Sequence, residues 1–527
     1  MSYSDDIAKV SRSLTYIVKI GLTEPDTENA QCYVTEGEIP PTEGYHACIN
    51  RVEWIPARAT VEGGLGYLGE VSISLSDFKY GARGTYFGKM IGKNPYYLNR
   101  MLEIYVGYYQ HGDTFNLSNF QKRTYFLKRI DGPDDKGNVK IQAADVLSRL
   151  NESEIPAATY GELSGSLAAA ATGTINITDN TGFAAGAGYA IIGDEVVSYS
   201  ATSGADSIII DGRGQAGTTD EDHDAADPVR FVYQNSGNAV DVIRDIIEDY
   251  TDIDHASYIP DTDWNSERDN KLLSEDVDLW VIEPTKVKDI VDKLANQSYS
   301  NLWWDDAAQE IKFQALGPTL TGTVTWTDDE NILDGKATIK RDQRSILTAV
   351  WVFFGKNDKT SGDDAKNFDS VYIKIDSVIE ANLGEEKVKK IYADSLPDTS
   401  TATASKISNR LISQNKEPIV FTCYVDAKDS AVNVGDAVTI DTDLIQDFEG
   451  YNKPVIMRVI EKAQKKNNQY FYKLVKTGQE VTDRYAIIGP DTLGAYTAES
   501  ESSRNNYGFI ANNSNLMSNG DDPYLIQ

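Results

Sequence analysis

The chain has 527 residues, and its 81 Asp and Glu against 50 Lys and Arg leave a net charge of −31 at pH 7. An apolar fraction of 40% with 7 Trp, 15 Phe and 30 Tyr excludes a disordered acidic chain, and the length implies roughly three or four compact units. The acids are spread along the chain, which argues against a surface that grips nucleic-acid phosphates.

The first residues, Met1–Asp6, lack the basic and apolar regions of a secretory leader, and no apolar run approaches the roughly 18–20 residues of a membrane-spanning helix. Cys32, Cys48 and Cys423 form no Cys-x-x-Cys pair. Cys423 alternates with Ile419, Phe421 and Val425 and is expected as a buried thiol, while Cys32 and Cys48 are read as reduced and packed, with a pairing across a hairpin as the alternative.

In chain order, residues 1–160 are rich in β-branched and aromatic runs, among them Thr15–Gly21, His46–Ile55, Glu70–Leu75, Leu102–Tyr109, Thr124–Ile130 and Val139–Ala143. The loop Asp131–Gly137 joins two of them and Asp145–Leu150 reads as a short helix, so a β-barrel or sandwich is expected. Gly161–Gly173, dominated by Ala, Gly and Ser, reads as a connector. Short strands then crowd together up to residue 233 as a small β-module.

Residues 234–320 carry helical periodicity. Val240, Ile243, Ile246, Ile247 and Tyr250 mark one amphipathic helix, and Val287, Ile290, Val291 and Leu294 mark a second with Thr285 as its N-cap. Trp303 and Trp304 lead into a hairpin with Glu310–Ala315, giving a mixed α/β unit. Residues 321–478 return to β, with one helix over Thr401–Gln414, and read as a second barrel. Residues 479–527, rich in Asn, Ser and Asp, are expected as an extended or mobile arm. The fold class is therefore mainly β (α+β), with two tube-like β-barrel domains, an inserted β-module and an α/β unit.

No spacing carries catalysis. Gly84, Gly88, Lys89, Gly92 and Lys93 miss the P-loop order, and Gly63, Gly64, Gly66 and Gly69 lack a dinucleotide-fold setting, so both groups read as tight turns. His46, His111, His223 and His255 are the only histidines, and neither a nucleophile elbow nor a zinc-ligand cluster is present. Asp220, Asp222 and Asp224 are weak candidates for a Ca²⁺ site without EF-hand order, and a solvated charge run is the plainer reading. Asp194 with Glu195 stays open as a carboxylate pair for glycan hydrolysis. The cluster Tyr96, Tyr97, Tyr105, Tyr108 and Tyr109 reads as subunit-packing surface, with a sugar platform as the alternative.

The stretch Gly188-Tyr-Ala-Ile-Ile-Gly-Asp-Glu-Val-Val-Ser-Tyr199, followed by Ile210-Asp-Gly-Arg-Gly-Gln-Ala-Gly-Thr218, His223 and Asp227-Pro-Val229, resembles a repeat of long-tailed bacteriophage tail proteins. Ala226-Asp227 stands where Gly-Asp is usual in that repeat. The structural-motif residues carried over are Gly193, Glu195, Tyr199, Arg213, Gly214, Gly217, Thr218, His223 and Asp227. The glycines are expected in turns, and Glu195, Arg213 and His223 are expected to pair within the fold. Leu302-Trp-Trp-Asp305, Thr327-Asp-Asp-Glu-Asn-Ile332, Val434-Gly-Asp-Ala-Val438, Arg484-Tyr-Ala-Ile-Ile-Gly-Pro490, Asn506-Tyr-Gly-Phe-Ile510 and Leu516-Met-Ser-Asn-Gly520 are similar to baseplate-hub (tail tip) proteins of siphophage tails. The resemblance covers residue 160 onward well and the N-terminal domain weakly.

That resemblance implies a non-enzymatic homotrimeric ring in the virion, assembled in the host cytoplasm. Two barrels per subunit would match a hexameric tail tube. Its partners would be a distal tail protein, a tape measure protein, and central-fibre or tail-fibre proteins near the host cell surface. Genomic DNA would pass without specific binding, and no cofactor or metal is implied. The alternative is a receptor- or glycan-binding or glycan-cleaving tail protein.

Overall fold

The computed structural model describes residues 14–25, 31–36, 45–109, 115–159, 161–272, 275–316, 322, 324–465, 469–476, 509–510 and 524–525. His111, the motifs at 484–490 and 516–520, and most of the expected arm lie outside the described residues, as does the side chain of Cys32. Residues 1–478 form one compact unit and 479–527 another. The second contributes only two short strands to the description, Phe509–Ile510 antiparallel to Tyr524–Leu525.

The chain is mainly β, built on two half-barrel sheets. The first is formed by β1 (Leu14–Thr23), β2 (Gln31–Glu36), β3 (Tyr45–Ala47), β4 (Ile49–Ile55), β6 (Glu70–Ser76), β7 (Met101–Tyr108), β8 (Gln121–Asp131) and β9 (Asn138–Ala144), in the order β3-β2-β1-β7-β8-β9-β6-β4. The short β5 (Gly64–Leu65) lies outside it. Alternate residues such as Val18, Ile73, Ile104, Leu127 and Ile141 turn to one face, as the period of two requires. That face closes on α1 (Tyr86–Lys93), which buries Tyr86, Phe87 and Met90 in the same core. The glycines at 88 and 92, expected in a tight turn, lie inside this helix. Its aromatic side chains stabilise it by burial, against the cost of two glycines.

After the 3₁₀ turn Val146–Asn151 and β10 (Glu154–Ile155) comes the inserted sheet. It holds β11 (Gly161–Glu162), β12 (Gly173–Asn176), β13 (Gly188–Ile192), β14 (Glu195–Thr202), β15 (Ser207–Gln215) and β16 (Pro228–Asn238), ordered β11-β16-β13-β14-β15-β12. Gly161–Gly173 is more than a connector, because Gly161–Glu162 pairs with β16 and Leu163 and Leu167 are buried in the module core. Two leucines in an Ala/Gly/Ser run suffice to anchor it.

β16 is long enough to pair three strands, β11, β13 and β17. Its first half pairs β13, and Tyr233–Asn238 pairs β17 (Asp276–Val281) beside α2 (Ala239–Tyr250). Beyond α3 (His255–Tyr258) and α4 (Asp261–Lys271), β18 (Thr285–Lys286) leads into α5 (Val287–Gln297). Lys286, not Thr285, occupies the N-cap, because both residues still belong to the short strand paired with Glu154 and Ile155 and the helix begins only at Val287. The hairpin of β19 (Ser300–Asp305) and β20 (Glu310–Ala315) takes β5 as a parallel third strand.

The second half-barrel contains β21 (Val324–Thr327), β22 (Thr338–Arg341), β26 (Ile419–Asp426), β27 (Ala437–Asp441), β28 (Val455–Gln464) and β29 (Gln469–Lys476), ordered β21-β27-β28-β29-β26-β22 around Trp326, Phe421, Cys423, Met457 and Tyr472. Between β22 and β26, a three-stranded sheet of β23 (Ala349–Lys356), β24 (Phe368–Ile375) and β25 (Val388–Ala393) follows its own course. Beyond α6 (Ser377–Leu383), α7 (Thr401–Asn415) covers that sheet. Val350, Val352, Leu411 and Ile412 join the core of the α/β segment, not that of the half-barrel. Among the described residues no helix is long and apolar enough to cross a membrane.

Candidate functional site

The residues singled out in the inserted module converge on one carboxylate. The turn between β13 and β14 places Gly193 at φ +59° and starts β14 with Glu195, whose side chain is 0% exposed. Burying an ionised carboxylate is costly unless every lone pair is met. Five donors meet it. Oε1 accepts from Arg213 Nε at 2.7 Å and Gly214 N at 2.9 Å, and Oε2 accepts from Arg213 Nη2 at 2.7 Å, His223 Nε2 at 2.8 Å and Glu221 N at 3.2 Å.

Arg213 is saturated in turn, since Nη1 donates to the carbonyls of Ala168 at 2.6 Å and Ala171 at 3.1 Å and Nη2 also donates to that of Glu221 at 2.8 Å. The arginine thus fastens the 161–173 stretch to the sheet. Thr218 closes the turn by accepting from Val196 N at 3.0 Å while donating to Gln215 O at 2.7 Å. Asp227 lies 3.8 Å from His223 Nδ1, and Tyr199 donates to Ala184 O at 3.3 Å on the other side of the module. Gly214 and Gly217 have φ of +56° and +82°, a region that L side chains disfavour.

Burial opposes ionisation of Glu195, but the Arg213 guanidinium, the Gly214 N–H, His223 and the Glu221 N–H outweigh it and hold its carboxyl down to about 2. A group so held, and without solvent access, is a staple, not a proton donor. Asp194 is exposed beside it, so the two adjacent carboxylates face different environments. Asp220, Asp222 and Asp224 are exposed, and Asp222 accepts from Ala169 N at 2.8 Å. Among the described residues no three His, Cys, Asp or Glu side chains stand close enough to hold a metal ion.

Two of the other stretches quoted from the sequence, Leu302–Asp305 and Val434–Val438, also meet. Gly435, at φ +95°, lies so close to the Trp303 ring that a Cβ there would stand 2.8 Å from it. Gln314 Nε2 donates to Gly435 O at 3.2 Å, and Asp328 accepts from Thr442 Oγ1 and Asp443 N at 2.9 Å. Of the tyrosine cluster, Tyr109 is buried and Tyr96 is exposed. Cys48 and Cys423 are buried free thiols, each pushed up to about 12 by burial, with the Asp77 charge adding at Cys48.

A second polar group was not legible in the sequence. A cavity of about 80 Å³ at the junction of β4, β8, the β19–β20 hairpin and β28 is lined by Trp54, Arg123, Tyr125, Trp303, Asp306 and Lys462. Asp306 accepts from Tyr125 OH at 2.7 Å, Trp304 Nε1 at 3.2 Å and Arg123 Nη1 at 3.3 Å. Burial lifts its carboxyl above the ordinary range, with Arg123 and Tyr125 opposing. Burial also pushes nearby Asp145 up to about 8, against the Gly69 N–H and with the Asp306 charge adding, while Lys462 is pushed down to about 8 by burial. The contributors come from positions more than 300 residues apart, as in the Arg123–Gln464 contact at 3.3 Å, and no local pattern announces such a meeting.

No protein-family model matches the sequence, and no curated protein matches it. Solved structures similar to the chain include the tail protein from Neisseria meningitidis MC58, at 8% identity over 88% of this chain and 96% of that one with a TM-score of 0.41. Prophage tail protein gp18 from Listeria monocytogenes EGD-e matches at 10% identity over 89% and 97% with a TM-score of 0.39. The 43 kDa tail protein of prophage MuSo2 from Shewanella oneidensis matches at 10% identity over 88% and 98% with a TM-score of 0.41.

Proposed function

We propose that the chain is a structural component of a bacteriophage tail tip: a baseplate hub that assembles as a homotrimeric ring between the tail tube and the host-contacting parts. The observation that carries this reading is the presence, in one chain, of two half-barrel sheets, each with its own core, that come from opposite ends of the described chain and meet where β4 and β8 face β28. Three copies present six such sheets, which suits a six-fold tube above and a three-fold fibre below. The ordered tail-like motifs from 188 to 438 support the same reading, and so does the Glu195 staple, whose donors all belong to the fold. The role is then non-enzymatic and without a cofactor.

In this reading residues 1–160 and 321–478 supply the ring, 161–233 and 234–320 decorate it, and 479–527 reach a neighbour. The net charge of −31 suits a lumen along which genomic DNA slides without being held. The partners are a distal tail protein, a tape measure protein, and central-fibre or tail-fibre proteins. The site of action is the virion of a long-tailed phage after assembly in the host cytoplasm. Counting copies of the full chain in solution and in the tail tip tests the reading.

A receptor- or glycan-binding role is favoured by one feature, the aromatic cavity lined by Trp54, Tyr125, Trp303 and Trp304. Glycan-induced quenching of tryptophan fluorescence, abolished by Trp54→Ala, would support that second reading.

A further inference from the structure

Lys462, on β28, is an amine in surroundings that disfavour its charge. With Trp303, Asp305, Asn433 and Tyr470 it lines the cavity of about 80 Å³ described above, and its Nζ stands 5.4 Å from the centre of the Tyr470 ring. Nζ donates to Ser430 O at 2.7 Å and to Asn433 Oδ1 at 2.9 Å, and neither acceptor carries a charge. Burial holds the amine down to about 8, with the Arg123 charge adding and Asp305 and Asp436 opposing. A desolvated lysine of this kind keeps part of its population as the free, nucleophilic amine near neutral pH.

The carboxamide in front of it is held in place. Asn433 opens the turn into β27, where its N–H donates to Asp436 Oδ2 at 2.8 Å and its carbonyl accepts from Asp436 N at 3.2 Å. The turn is fastened to the strand that carries Lys462, since Gly435 N donates to Val459 O and Val459 N to Asp436 O, both at 2.9 Å. Trp303 packs so tightly on Gly435 that the turn has no room to retreat on that side. Because Cγ lies about 1.2 Å from Oδ1, the 2.9 Å contact puts the amine within about 4 Å of that carbon, close to attack distance.

We infer that Lys462 and Asn433 join in an intramolecular isopeptide bond. The Lys462 Nζ–Asn433 Cγ bond forms and the Asn433 Cγ–Nδ2 bond breaks. Of the two protons on the free amine, one stays on the new amide and the other goes to the departing nitrogen, which leaves as ammonia. Asp305, a carboxylate lining the same cavity, carries that proton across. Nothing is oxidised or reduced, and no further reactant is consumed. The product closes residues 433–462 into a covalent loop that ties the turn before β27 to β28, so that this part of the second half-barrel stays joined even when unfolded. The inference is independent of the ring reading.

Mass spectrometry of the full chain tests it. The intact mass is expected to fall short of the sequence mass by one ammonia, and trypsin is expected to release a branched peptide joining 429–458 to 459–465, because a modified Lys462 is no longer a cleavage site. Lys462→Arg and Asn433→Ala are each expected to abolish the branched peptide, and Asp305→Asn to slow its appearance about tenfold or more. Full sequence mass in the native chain, with 459–462 released as a linear peptide, would overturn the bond. A mass deficit without the branched peptide would place the ammonia loss elsewhere and overturn it equally. Bond formation at the native rate in Asp305→Asn would overturn the proton transfer assigned to Asp305.

Discussion

Arg213 grips both carboxylate oxygens of Glu195, with Nε and Nη2 each donating at 2.7 Å. The fork matches the carboxylate in its plane, which a lysine cannot do. Because both groups are buried, removing either leaves the other charged and unpaired. Glu195→Gln is expected to cost the module about 3 kcal/mol, and Arg213→Lys to recover only part of the native stability. Hydrogen exchange of peptides spanning 188–232 should rise in both variants while the half-barrel strands keep native protection. Uniform protection loss across the chain would contradict a local staple.

The same pair sets an acid limit. Glu195 titrates at about 2 in the folded chain against an ordinary 4.5, so its stabilisation is complete above the ordinary value and is lost as pH falls from there toward 2. Native chain should therefore lose protection in the module between pH 4.5 and 2, whereas Glu195→Gln should show no such slope in that window.

Asp145 carries the opposite dependence. Burial raises it to about 8 from an ordinary 3.8, so the folded chain takes up a proton there and stability declines as pH climbs through that interval. Asp145→Asn keeps an acceptor for the Gly69 N–H without the ionisable group. The variant should melt higher than the native chain at pH 9, and by a smaller margin or none at pH 4, in parallel thermal scans.

Gly217 couples the module to the following sheet. Its φ is +82°, and a Cβ would run into the carbonyl of Asn357, while Lys359 N donates to Ala216 O at 3.0 Å close by. Gly217→Val should cost about 2 kcal/mol and raise exchange at 357–361 together with 214–218.

How far the sequence reached depended on the range over which each signal acts. The half-barrel strands follow an alternation visible within seven or eight residues, as in Ile419, Phe421, Cys423 and Val425, all buried. α2 and α5 declare themselves in the same way. Missed features lack a local signature. α1 is concealed by Gly88 and Gly92 and is stabilised by the sheet that closes on it. Leu163 and Leu167 anchor a stretch whose composition reads as linker, and the Asp306 group is drawn from separate strands and a hairpin. The module cluster was approachable because Glu195, Arg213 and His223 lie within 29 positions on adjoining turns, where a motif can register them.

The central claim concerns assembly, and the copy number of the full-length chain tests it most directly. Mass photometry of the purified protein, repeated on the isolated tail tip by particle reconstruction, is predicted to show three copies arranged as a closed ring with six half-barrel sheets around the axis. A stable monomer, or a ring of six chains, would contradict it.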